Sequence, residues 1–295
     1  MINDSSSAQF VMREPNWSSI YLTFEALESG RFKFSSTSYF SIDGGSHWVQ
    51  LLGGVDSPLI LSGQKISFKQ ETSSSVKDKG CGTFSSTGRF KVYGNPLSML
   101  FLDNFEGVMT LSGTSIQYAL AYLFSGNTNV VAADKMSLSP KNLSSYYCYM
   151  NMFSDCTALE AAPELPATSI NNNCYTSMFK GCTSLHKAPS TLPSSGGIQS
   201  FCYSNMFSGC TSLEESPIIN LSRKVPPYGC VNMFSGCSNL HKITLLTNDI
   251  SSNSNCLTNW VDGVAETGTF VKSASMTSLP TGVSGIPANW TVINA

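Results

Sequence analysis

CYTSMFKGCTSL, residues 174–185, sets two cysteines eight positions apart around a Met-Phe pair. The stretch recurs as CYMNMFSDCTAL from Cys148, CYSNMFSGCTSL from Cys202 and CVNMFSGCSNL from Cys230. A degenerate last copy, CLTNWVDGV, starts at Cys256, and a degenerate first copy, ALAYLFSGNTNV, starts at Ala119. The starts lie 29, 26, 28, 28 and 26 residues apart. Self-similarity at that period predicts a solenoid, in which each unit buries its face only against its neighbours.

Within one unit the spacing fits a helix. At 100° per residue, Cys174, Tyr175, Met178, Phe179 and Cys182 fall within an arc of roughly 140°, with Thr176, Ser177 and Lys180 outside it. The expectation is a short helix per unit, apolar side inward, ended at Gly181 in the left-handed conformation. A short extended run follows in four units: LEAAPEL from Leu159, LHKAPSTL from Leu185, LEESPII from Leu213 and LHKITLL from Leu240. Prolines 163, 189 and 217 would damage an ordinary sheet but are tolerable at the end of a brief strand. Each unit therefore reads as helix, turn, short strand and return loop.

The cysteines admit three readings. Cys-x7-Cys lacks the tight ligand spacing of zinc sites, and its repetition would demand several ions, so no metal is expected. A disulfide within a helical unit would have to span about 12 Å, beyond the reach of a bridge. Equivalent cysteines of stacked units would sit about 4.8 Å apart, which leaves bridges between units open. The third reading is a buried column of small apolar side chains. It is favoured because Val264 replaces the second cysteine in the last unit and Asn127 does so in the first.

The repeated C-Y-x-x-M-F-x-G-C-x-x-L pattern resembles the BspA-like leucine-rich repeats of Bacteroidales surface proteins, over roughly residues 100–295. By that resemblance Asn127, Cys156, Cys182, Cys210, Cys237 and Val264 occupy the Asn/Cys ladder position. The tail GTFVKSASMTSLPTGVSGIPANWTVINA is similar to the usual ending of such proteins. The Cys230 unit departs from the pattern, with one residue missing before Met233. The resemblance implies a non-enzymatic binding or adhesion protein at the cell surface, with a protein or glycan ligand such as host extracellular matrix. It also implies an alternative, a structural or receptor-binding part of a phage-like particle or mobile element.

Residues 1–94 carry no repeat and alternate in the strand manner: IYLTFEAL, GRFKFSS, HWVQLL, KISFKQ and GRFKVYG, separated by turn signals such as Asp43-Gly44-Gly45. The expected architecture is α+β: a small antiparallel sandwich or barrel over 1–94, a leucine-rich-repeat solenoid of about six units over 95–265, and a capping segment over 266–295. The N-terminal domain is expected to dock on the first repeat and cover its edge, with the tail doing the same at the other end.

Only 12% of residues are charged and the net charge is −2, which gives no basis for a nucleic-acid partner. No apolar run is long enough to span a bilayer. The start, MINDSSSAQFVMREPNW, lacks a basic segment followed by an apolar one, so no signal peptide is visible. That implies a trimmed signal or a route without one. No P-loop, nucleophile elbow, HExxH or GxGxxG pattern is present, and no cofactor is expected. A carbohydrate-active enzyme with paired carboxylates is the weaker alternative, since Asp43 and Asp56 sit in turn signals. For a binding surface, unit alignment places Glu160, His186, Glu214 and His241 in one outward column, with Lys187, Glu215 and Lys242 in the next. Acidic and basic units alternate. Cross-strand pairing explains that alternation, and a recognition stripe is compatible with it. Tyr146, Tyr147, Tyr149, Tyr175 and Tyr203 add aromatic mass near the coil edge, mostly for packing, with some able to stack on sugars.

Overall fold

The computed structural model describes residues 15–70, 80–193, 199–221, 225–247, 255–276 and 279–295. The chain opens with β1 (Leu22–Ala26), β2 (Phe32–Phe34), β3 (Ser38–Ser41), β4 (Val49–Leu51), β5 (Lys65–Lys69), β6 (Phe84–Ser86) and β7 (Phe90–Gly94). After a single helical turn, α1 (Ser98–Phe101), come the two-residue β8 (Thr110–Leu111) and the longer β9 (Val130–Met136). One sheet runs β4-β3-β5-β1-β7-β9. Its neighbours are antiparallel until β7, which pairs with β9 in parallel. A second, two-stranded sheet pairs β2 with β6. Alternation in the strands sends Phe24, Phe32, Phe68, Phe84 and Phe90 into the space between the sheets, where ring centroids lie 4.8–6.4 Å apart.

The repeats lie coil against coil, but they do not form the expected leucine-rich-repeat solenoid of helix-strand units. Among the described residues α1 is the only α-helix, and the fold is β-rich, so the expected α+β architecture with a helix per repeat is wrong. Each Cys-to-Cys stretch is a chain of β-turns. From Cys148 to Cys156, the amides of Met150, Met152, Ser154 and Cys156 donate three residues back. Those of Tyr149, Asn151, Phe153 and Asp155 donate to Cys174, Thr176, Met178 and Lys180 in the next coil. Half the amides thus stitch the stack together, which an α-helix with its i−4 bonds cannot do. Every fourth residue is left-handed: Tyr147, Asn151 and Asp155, then Asn173, Ser177 and Gly181, then Phe201, Asn205 and Gly209. Gly181 does take positive φ, at +73°, as one of a series rather than as a helix terminus.

The opposite side of each coil is a parallel strand edge. It begins at β9, passes through single bridges at Ala161 and Lys187, and widens into β12 (Glu215–Ile219), β13 (Lys242–Leu245), β14 (Thr269–Lys272) and β15 (Thr291–Asn294). The first two Leu-led runs are therefore bridges and not strands, and Pro217 sits where the β12 register shifts. A second parallel edge joins β8, β10 (Asn142–Leu143) and β11 (Ser169–Ile170).

Inside the stack, side chains form ladders. Phe84, Phe124, Phe153, Phe179, Phe207, Phe234 and Trp260 follow one another at 5.1–6.0 Å between ring centroids. Tyr149, Tyr175 and Tyr203 form a second buried file at 5.7 and 6.0 Å. The Phe ladder begins in β6, so the N-terminal sheets and the first coil share one core.

The three left-handed positions of each coil differ in composition. The second column holds Tyr122, Asn151, Ser177, Asn205, Asn232 and Asn259, and the third is mostly glycine; the Asn and Gly members are suited to positive φ. The first column holds Tyr118, Tyr147, Asn173, Phe201 and Tyr228, at φ of 56–61°. A side chain there costs about 1–2 kcal/mol per residue. Tyr118 stacks on Tyr147 at 4.4 Å, and Phe201 on Tyr228 at 4.8 Å. Each such stack adds about 0.5–1.5 kcal/mol beyond the burial of its rings, and the two together offset the strain.

Candidate functional site

Alternation in β1, β5 and β7 turns Tyr21, Thr23, Lys65, Ser67 and Tyr93 away from the phenylalanine core and onto the outer face of the large sheet. There they line a pocket of about 690 Å³. Trp17 closes one side, its ring 5.2 Å from that of Tyr93. Ile42 and Leu59 form an apolar rim, 63% and 51% exposed. On the floor the hydroxyls of Thr23 and Ser67 are 2.8 Å apart and almost fully buried. Lys65 is the pocket's cation. It stands 5.3 Å from the Tyr93 ring centroid and 3.5 Å from Glu25.

Tyr21 is held rigidly from behind. Its ring packs on Trp48 at 4.8 Å and on Phe105 at 5.0 Å, and its hydroxyl donates to Asp103 Oδ1 at 2.7 Å. Lys69 Nζ donates to the same oxygen at 2.7 Å and sits 4.4 Å from the Trp48 ring centroid. Burial, reinforced by the Asp103 bond, pushes the Tyr21 phenol up to about 12. The bonds from Lys69 and Tyr21 hold the Asp103 carboxyl below its ordinary value. The described lining holds no carboxylate, imidazole or thiol, so the pocket offers ring faces, hydroxyls, the Gln64 amide and one ammonium.

The outward stripe is largely engaged within the protein. Glu215 lies directly across from Lys242, with Nζ and Oε2 at 2.8 Å. Lys187 reaches over the small Ala161 to Asp134 at 3.2 Å, and Glu160 lies 3.7 Å from Arg89. His186 and His241 each turn Nδ1 back to a carbonyl two residues earlier, at 3.3 and 3.0 Å. Glu214 is exposed, and its carbonyl accepts from His241 and Lys242. Among the described residues no group of three His, Cys, Asp or Glu is placed to hold a metal. Asp43 accepts from the Ser41 hydroxyl and the His47 amide, and Asp56 pairs with Lys33 at 3.3 Å, so both are tied into their turns.

The ladder residues share one geometry. The thiols of Cys156, Cys182, Cys210 and Cys237 donate to the carbonyls of Phe124, Phe153, Phe179 and Phe207 in the preceding coil, at 3.0–3.1 Å. Asn127 makes the corresponding bond with its amide, to Phe84 O at 3.2 Å. Val264 ends the series without a donor. In the other column, Cys148 and Cys174 both direct their thiols at Ser145 O, at 3.2 and 3.3 Å. All ten cysteines are free and buried.

Sequence reading placed the strands of the pocket but not the pocket. The signal was the polar half of the alternation, Tyr21 and Thr23 against Leu22 and Phe24. No helix of the described residues is long and apolar enough to cross a membrane. Compared with known families, curated proteins and solved structures, the chain matches none.

Proposed function

We propose that this chain is a non-catalytic binding and adhesion protein of the cell surface or extracellular space, taking a protein or glycan ligand in the outer-face pocket of its N-terminal sheet. The observation that carries the reading is the pocket itself: preformed, about 690 Å³, walled by Trp17, Tyr21 and Tyr93 over a hydroxyl floor. The kinship with BspA-like surface proteins implied by the repeats belongs to the same reading. The coil stack then serves as a mount, and its charged stripe contributes little because Glu160, Lys187, Glu215 and Lys242 already pair within the protein.

Screening the full chain on glycan and matrix-protein arrays tests this. Trp17→Ala with Tyr93→Ala should reduce binding at least about tenfold, since aromatic anchors in a pocket dominate binding energy. Glu215→Ala with Lys187→Ala and Lys242→Ala should leave it within about threefold. The reverse pattern would move the ligand to the stripe.

A further inference from the structure

The hydrogen-bonding capacity left in the N-terminal pocket differs between its floor and its rim. Thr23 and Ser67 lie across from each other on β1 and β5. The Thr23 hydroxyl donates to the Tyr21 carbonyl at 2.8 Å, which spends its one proton. The 2.8 Å contact between the two hydroxyls is then made with the Ser67 proton. Both protons are committed and both side chains are almost fully buried, so the floor has acceptor lone pairs to offer and no donor.

At Gln64 and Lys65 the balance is the reverse. Gln64 Oε1 accepts from the Leu61 amide at 2.9 Å, which fixes the orientation of the side-chain amide and turns its NH2 group into the remaining donor. Beside it, Lys65 carries the one charge of the described lining. Its 3.5 Å separation from Glu25 is longer than the roughly 2.7–2.9 Å of a charge-assisted hydrogen bond. Glu25 is also shared: it lies across from Lys65 on one side and Lys91 on the other, so this three-strand row holds one positive charge in excess. Two residues of β5 separate Lys65 from Ser67, about 6.5–7 Å along the strand.

We infer that the ligand of this pocket is an acidic sugar, a hexuronate unit of a glycan, an inference that rests on the pocket being the binding site proposed above. Its carboxylate accepts from Lys65 and Gln64, and hydroxyls on the far side of the ring donate to Ser67 and Thr23. The pyranose thereby matches a pocket that needs an acceptor at one place and donors a ring's breadth away. A neutral sugar would cover the Lys65 ammonium without bringing a counter-charge. An Asp or Glu side chain brings the carboxylate but has no donor of its own for the floor.

The test is calorimetric titration of the full chain with oligogalacturonate and oligoglucuronate, each beside its methyl ester, which keeps the ring and its hydroxyls and removes the charge. At least one acid should bind about tenfold or more tighter than its ester, as expected of hydrogen bonds to a charged group. The gap should narrow as salt rises from about 50 to about 500 mM. Lys65→Met should close it and Lys65→Arg should keep it. Gln64→Glu retains the bond from the Leu61 amide but sets a carboxylate against that of the ligand, and should close it too. Lys187→Ala with Lys242→Ala, cations outside the pocket, should leave the acid affinity within about threefold, which separates the site from a general attraction of anions to the surface. Equal binding of acid and ester, a gap that survives Lys65→Met, or an acidic peptide bound more tightly than either uronate would overturn the acidic sugar. If no uronate binds while the arrays give a ligand that is lost in Trp17→Ala with Tyr93→Ala, the acidic sugar falls and the pocket stands. Uronate binding that survives Trp17→Ala with Tyr93→Ala would overturn both.

Discussion

Cys182 shows what a small donor contributes at the centre of a coil. Its thiol caps the Phe153 carbonyl at 3.0 Å, and burial pushes its pKa well above the ordinary thiol range. Burial does the same to Cys237, up to about 12, and to Cys81, also about 12. A thiolate is the reactive form, so the cysteines raised in this way should be inert, whereas, against its desolvation, the hydrogen bond with Cys148 holds the Cys174 thiol below its ordinary value and only burial shields it. In denaturant without reductant all ten should react with a thiol reagent, and none should do so quickly in the native protein. A titre below ten without reductant would mean bridges between coils, with Cys148 and Cys174 the first pair to test. The same shifts set a pH dependence. A thiol whose folded pKa lies above its unfolded value of about 8.5 stabilises the fold fully below that pH, and the contribution is lost as pH rises toward the folded value. The thermal midpoint should therefore fall between about pH 9 and 12, and less steeply after Cys237→Ser. A midpoint flat across that range would contradict it.

At the scale of the element, the sequence showed which residues face inward but not the backbone that puts them there. Positions 174, 175, 178, 179 and 182 are buried as expected. That set spans an arc of about 140° at a period of 3.6 and about 90° at a period of 4, a difference too small over nine residues for inwardness alone to separate a helix from a chain of turns. Asn and Gly four apart, as in Asn205 and Gly209 or Asn232 and Gly236, could have separated them, because both mark positive φ. The pocket was illegible for another reason: Trp17, Tyr21 and Tyr93 are far apart in the chain and meet only through sheet order. The turn account predicts a specific cost. At Gly209 an added Cβ would meet nothing closer than 3.8 Å, so Gly209→Ala should be penalised by backbone conformation alone. About 1–2 kcal/mol of lost stability is expected in denaturant unfolding. A helix interior at that position would instead gain from the change, by up to about 1 kcal/mol.

Across the whole molecule, the N-terminal sheets take the place of a coil. Phe84 stacks on Phe124 at 5.9 Å, as each phenylalanine does on the next, and its carbonyl accepts from Asn127 as later ones accept from cysteine. The Phe84 amide donates to Leu123 O at 2.8 Å, and β7 pairs with β9 alongside. A single structure thus runs from an antiparallel sheet into a parallel stack with the ladder unbroken. In a stack where each unit rests on its neighbours, the strength of one interface decides whether the parts unfold together. Phe84→Ala removes the first ring of the ladder and should cost about 3–5 kcal/mol, with the loss concentrated at this junction. The native chain should melt in one calorimetric transition, and Phe84→Ala with Asn127→Ala should split it in two, the coil stack and the N-terminal sheets separating. Phe207→Ala, at mid-stack, would lower stability by a similar amount and leave the N-terminal sheets coupled to the first coils. Should Phe84→Ala with Asn127→Ala still melt in a single transition, the coupling would have to reside in the β7–β9 pairing instead, which a proline at Ala132 would then be expected to break.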